Sequence, residues 1–182
     1  MDTIIEITLQ ALIVGLITLA ILGFVGNLHQ STYEKTSSVI LETNLVTIAS
    51  VIENDLNKIG YNAPKPAILR ADSVFSFLAD LQNTGVVKTV QYSKTIIPAG
   101  YRTPSDTTQD FGISRTVSGE PSIISDMHLS KLNFAYFDST GLPTSSLAAI
   151  RSVNVMVELT NPGKTTTTAP SLFWTKTFYI QN

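Results

Sequence analysis

Chemistry in this chain would have to come from few side chains: the histidines His29 and His128, the aspartates Asp106 and Asp110, and Glu6. A helical metal pair needs a second His, Asp or Glu three or four residues from the first, and neither histidine has one. Glu34 follows His29 by one residue too many. Asp106 and Asp110 could offer carboxylates to Ca²⁺, yet their spacing is not that of the EF-hand loop, so they read as solvated loop residues. No G-x-S-x-G elbow, phosphate-binding loop or dinucleotide fingerprint occurs, and there is no cysteine nucleophile. The expectation is a non-enzyme with no catalytic residue, no cofactor and no metal.

Glu6 is a different case. An acidic side chain near the start of a membrane helix costs up to ~3 kcal/mol at mid-bilayer and less toward the interface, so it needs a partner or water. Two readings stand side by side. The carboxylate pairs with an α-amino terminus, taken at Met1 and supplied by a neighbouring copy, or it sits at headgroup depth and touches water. Gly15, Gly23 and Gly26 also have two readings: they let helices approach closely, or they let the helix stretch locally once it leaves lipid. The pair Gly23-x-x-Gly26 is not the G-x-x-x-G dimer spacing.

These residues are carried by an N-terminal run with no Lys or Arg before residue 29 and no charge of either sign from Ile7 to Leu28. Ile4 to Gly26 supplies the ~20 apolar residues that a helix rising 1.5 Å per residue needs to cross a ~30 Å hydrocarbon core. A secretory signal peptide competes, but its basic n-region is replaced by Asp2 and Glu6. A buried helix of a soluble core would carry more polar residues at helical spacing than Thr8, Gln10 and Thr18. The run continues without a breaker through a polar stretch, where Tyr33 and Lys35 suit a headgroup interface. It then enters an amphipathic pattern in which Leu41, Leu45, Ile48, Ile52, Leu56 and Ile59 fall on one stripe. Glu42, Asn44, Glu53, Asn54, Asn57 and Lys58 take the other side, and Gly60 with Pro64 marks the stop. Three parts follow: a transmembrane or filament-core helix over 1–28, its amphipathic continuation over 29–60, and a β-rich head over 61–182.

Beyond Pro66 the apolar period shifts toward two. Strands are expected at Ser73–Ala79, Val86–Tyr92, Phe111–Val117, Lys131–Asp138, Val153–Leu159 and Ser171–Ile180. The turns Gln82–Gly85, Ser118–Gly119, Asp138–Gly141 and Asn161–Gly163 separate them, with glycine where positive φ is expected. Short connections of this kind make a mostly antiparallel sheet. Pro98 to Asp110 reads as a long surface loop, and the Thr165–Thr168 tract offers hydroxyls for glycans. The fold class is α+β, a long N-terminal helix packed on a β head.

Composition narrows the partners. Among 182 residues, 12 are Lys or Arg against 14 Asp or Glu, a net charge of −2, and no basic run exists, which argues against a nucleic-acid binder relying on a basic face, so no nucleic-acid partner is expected. Without cysteine there is no disulfide framework. About 150 residues remain after the membrane segment, enough for one modest domain.

An acidic residue ahead of a long uncharged apolar helix, then an amphipathic extension ending in Val51-Ile-Glu-Asn-Asp-Leu-Asn-Lys-Ile-Gly-Tyr-Asn62, resembles the type IV pilin superfamily, most closely its minor pilin and pseudopilin branch. Leu129–Gly141, Ile150–Leu159 and the closing Phe173–Asn182 resemble later segments of that branch in the same order. The resemblance implies a helix that anchors subunits in the inner membrane and then forms the centre of an extracellular filament, with β heads outside. It implies homo-oligomers, with other pilins as further partners, and Glu6 pairing with a neighbour's N-terminus. No basic leader ending in glycine stands before Glu6 in these residues, so the expectation is either that the leader has been removed or that the subunit is not processed in the family's usual way; Glu6 is sixth from Met1 but fifth from Asp2. The function expected is a self-assembling filament subunit. The alternative is a membrane-anchored minor pseudopilin or binding module of a secretion or envelope machine.

Overall fold

With no proline before residue 64 and only three glycines before residue 60, nothing interrupts the N-terminal helical pattern. The computed structural model, which describes residues 2–97, 111–125, 129–160 and 171–180, accordingly has one helix, α1, Asp2–Leu56. An 18-residue stretch of it reaches a mean hydropathy of 2.3 with none of it buried, long and apolar enough to cross a membrane. The chain divides into two compact units, Met1–Ile40 and Leu41–Asn182.

The first unit is helix throughout its described residues. Its threonines present little polarity: Thr8 Oγ1 donates to the Ile4 carbonyl at 2.7 Å and Thr18 Oγ1 to the Val14 carbonyl at 2.8 Å. Each hydroxyl hydrogen is thus spent on the helix's own backbone, which an apolar surround requires.

In the second unit the helical stripe is the core seam. Leu41, Leu45, Ile48, Ile52, Leu56 and Ile59 are all buried, as their spacing predicts, at about 1.5–3 kcal/mol of transfer free energy each. The helix ends at Leu56, three residues before the expected end at Ile59, because the last bonds tighten: Lys58 N–H donates to Asp55 O and Ile59 N–H to Leu56 O. Gly60 adopts φ 78° and its N–H turns to the Leu78 carbonyl at 3.0 Å, completing the glycine stop.

Eight strands follow among the described residues: β1 Ile68–Ala71, β2 Val74–Ala79, β3 Lys88–Ile96, β4 Phe111–Val117, β5 Glu120–Ser125, β6 Leu129–Phe137, β7 Ser152–Thr160 and β8 Ser171–Tyr179. All pairings are antiparallel, but they form two sheets rather than one: a five-stranded meander β1-β2-β3-β4-β5 and a three-stranded meander β6-β7-β8. The sheets meet at Phe75 of β2, whose ring centroid lies 5.1 Å from that of Phe134 and 5.6 Å from that of Tyr136, both on β6. One buried cluster unites both sheets with the helical stripe.

Five of the six expected strands match to within two residues at both ends, and Phe111–Val117 has the same bounds as expected. The expected Val86–Tyr92 instead runs Lys88–Ile96, because the Asp80 carboxylate holds the preceding chain in a loop. Ser171–Ile180 stops at Tyr179. Strands β1 and β5 are additions: β1 is four residues long and β5 contains Pro121, so neither displays a period-two run. Gly85, Gly119 and Gly141 take positive φ, as the turn chemistry predicts. The Pro98–Asp110 loop, the Asn161–Gly163 turn and the Thr165–Thr168 tract lie outside the described residues.

Candidate functional site

Between Ile4 and Leu28 the helix carries 15 large apolar side chains that are 40–70% exposed. They surround the helix on every side, because residues advance by 100° and the run is unbroken. At least ~600 Å² of apolar side chain is open, and at ~25 cal/mol/Å² leaving it in water costs more than roughly ten kcal/mol. This surface is the candidate site, and its chemistry is association with an apolar phase.

Glu6 lies on it, exposed, with no hydrogen bond or ion pair among the described residues. Met1, the expected amine donor, lies outside the described residues. Gly23 and Gly26 are helical, and a Cβ built on either would meet nothing within 4 Å. Within one chain these glycines are not required for packing. His29 is exposed on the same helix, while His128, Asp106 and Asp110 lie outside the described residues. Among the described residues no three of His, Cys, Asp and Glu gather into a metal-binding group.

A buried charge cluster lies in the head. Asp55 is 1% exposed; its Oδ2 accepts from the Tyr92 hydroxyl and from Arg115 Nε, each at 2.6 Å, and its Oδ1 accepts from Arg115 Nη2 at 3.1 Å. Tyr92 and Arg115 are direct register partners on β3 and β4, so the sheet presents both donors to one point of the helix. Burial, and then the Asp55 charge, push the Tyr92 hydroxyl well above its ordinary pKa; hydrogen bonding to Asp55 raises Arg115 further. A carboxylate bonded to a guanidinium and a phenol, with the phenol held neutral, is a fastener between helix and sheet rather than a proton-transfer site.

Sequence reasoning passed over this cluster, although it left a signal. Asp55 stands three residues after Ile52 and four before Ile59, on the apolar stripe itself, and Arg115 alternates with Ile113 on the core face of β4. Each is a charge at a core position, and buried charges come in pairs.

A second buried carboxylate shapes a loop. Asp80 is fully buried and accepts from Gly85 N–H at 2.7 Å, Thr84 N–H at 3.1 Å and the Asn62 amide at 3.2 Å. Burial alone would raise its pKa, but these donors, led by Gly85 N–H, outweigh it and hold the carboxyl below the usual range. Beside it, Lys58 Nζ donates to the Leu81 carbonyl. A surface ion pair, Lys176 Nζ to Glu53 Oε2 at 2.8 Å, ties β8 to the helix.

Concavities on the head are open and shallow. One of about 350 Å³ has an apolar floor of Ala67, Ile68, Ile150 and Ile180 with Lys65 and Arg151 at its rim. Arg151 Nη1 is already committed to the Ala148 and Ile150 carbonyls, each at 2.9 Å.

No protein-family model, no curated protein and no solved structure matches this chain.

Proposed function

We propose that this chain is a structural subunit of a type IV pilus-like extracellular filament that self-assembles through its N-terminal helix. The single observation that carries the reading is the apolar surface from Ile4 to Leu28, exposed on all sides of a helix that runs unbroken into the head's core seam. Lipid covers that surface while the subunit is in the inner membrane. Once the subunit leaves lipid, the cover nearest to hand is the same helix from other copies. Heterologous contacts around one axis then give an open helical polymer. The absence of charge from Ile7 to Leu28 favours this, since like charges crowded around an axis repel. Glu6 neutralises a neighbour's α-amino terminus, and Gly23 and Gly26 serve the helix's passage or packing.

Shearing of intact cells tests the proposal. The expected result is regular fibres in which this chain is the dominant protein. A chain that is stoichiometrically rare and stays in the membrane fraction overturns it in favour of an anchored minor pseudopilin or binding module.

A further inference from the structure

Three polar residues interrupt the apolar run after Glu6, and they do not behave alike. Thr8 and Thr18 bond back to carbonyls four residues earlier. Gln10 is exposed, and its amide has no partner among the described residues, including Glu6 one turn away. It lies five residues, about 7.5 Å, from Gly15 at the middle of the run. Half of a hydrocarbon core is ~15 Å, so the amide is well inside it and too short to reach headgroups. Acyl chains offer neither donor nor acceptor, so the amide's hydrogen-bonding capacity is unmet in lipid.

From this we infer that Gln10 is the polar contact by which copies of this chain pair while they lie in the membrane, before the staggered contacts of a filament form, its amide hydrogen-bonding to Gln10 of an adjacent copy. The occupant is a second copy because a carboxamide both donates and accepts and is complementary to itself, whereas two Glu6 carboxylates only accept. Copies inserted in the same direction place their Gln10 residues at one depth. At 100° per residue, Val14, Ile17 and Ile21 share the face of Gln10, while Leu12, Gly15, Gly23 and Gly26 face the other way. The contact is therefore separate from the glycine face. One buried polar pair along an apolar seam sets register in the way a single core asparagine does in a coiled coil. This inference rests on self-association through the helix.

The chain has no cysteine, so introduced ones report cleanly. Ile17→Cys and Leu12→Cys are placed singly in the full chain, with and without Gln10→Leu, and oxidised in membranes of expressing cells. The expected result is that Gln10→Leu lowers the Ile17→Cys dimer yield roughly threefold or more, that Gln10→Asn retains most of it, and that the Leu12→Cys yield does not change. An unchanged Ile17→Cys yield in Gln10→Leu overturns the role of Gln10 alone. No cross-link from either cysteine overturns self-association through this helix, and the inference with it.

Discussion

The Asp55 carboxylate, on the core stripe of α1, meets the Arg115 guanidinium, on the core face of β4, at 2.6 Å while only 1% of Asp55 is exposed. The pair fixes the rotation of the helix on the five-stranded sheet, since one turn of slip would leave both charges unmatched. Removing one partner strands the other in a dry site. Arg115→Met is therefore expected to destabilise the head by about 3 kcal/mol, roughly 6–12 °C in melting temperature for a domain of this size, by thermal denaturation of the full chain in detergent. A shift under about 2 °C would show that the charges are solvated.

Tyr92 gives the alkaline counterpart. Its folded-state pKa lies above the unfolded value of about 10, so the stabilisation is complete below that pH and is lost as pH rises above it. Between the two pKa values stability falls by about 1.4 kcal/mol per pH unit for this group. Tyr136, raised chiefly by burial, adds a slope of the same sign. Denaturant titrations from pH 8 to 12 are expected to show this decline, and Tyr92→Phe to flatten it while costing about 1.5–3 kcal/mol at neutral pH for the lost bond to a charged acceptor.

Phe75 joins the two sheets. It is fully buried, with ring centroids of Phe77, Phe134 and Tyr136 between 5.1 and 5.6 Å away. Phe75→Ala is expected to cost about 3–5 kcal/mol in chemical denaturation, well above Val153→Ala, which opens a smaller cavity. Equal costs would mean that the sheets do not depend on the aromatic contact.

The helix and most strands were visible in the sequence because single-period patterns survive wherever one face is buried. Leu41 to Ile59 and Phe111 to Val117 are such cases. Strands β1 and β5 were hidden because an edge strand has few buried positions to alternate: β1 buries only Ile68. The packing of the two sheets on each other depends on contacts such as that of Phe75 with Phe134, a long-range event with no local signature. The Asp55–Arg115 pair was readable only as two separate violations of apolar patterning, and their meeting required the fold. Gln10 was noted only as an interruption in the run. Its amide lacks a partner among the described residues, whereas Thr8 and Thr18 bond to carbonyls of their own helix, a difference that side-chain type alone does not encode.

Glu6→Ala separates membrane insertion from assembly. The apolar run from Ile7 onward is intact in the variant, so carbonate-resistant membrane association is expected to be unchanged. Incorporation into sheared fibres is expected to fall at least about tenfold if the pairing is worth ~1.4 kcal/mol or more per subunit. Unchanged incorporation would remove the charge-pairing role and leave Glu6 as a hydrated interfacial residue.

The helix from Ile4 to Leu28 has two successive surroundings in this account, lipid and then its own copies. Electron cryomicroscopy of sheared fibres at a resolution that traces helices examines that directly. The account predicts a fibre axis built from residues 4 to 28 of many copies, with the β heads outside. Fibres that lack this chain, or whose axis excludes these residues, would contradict it.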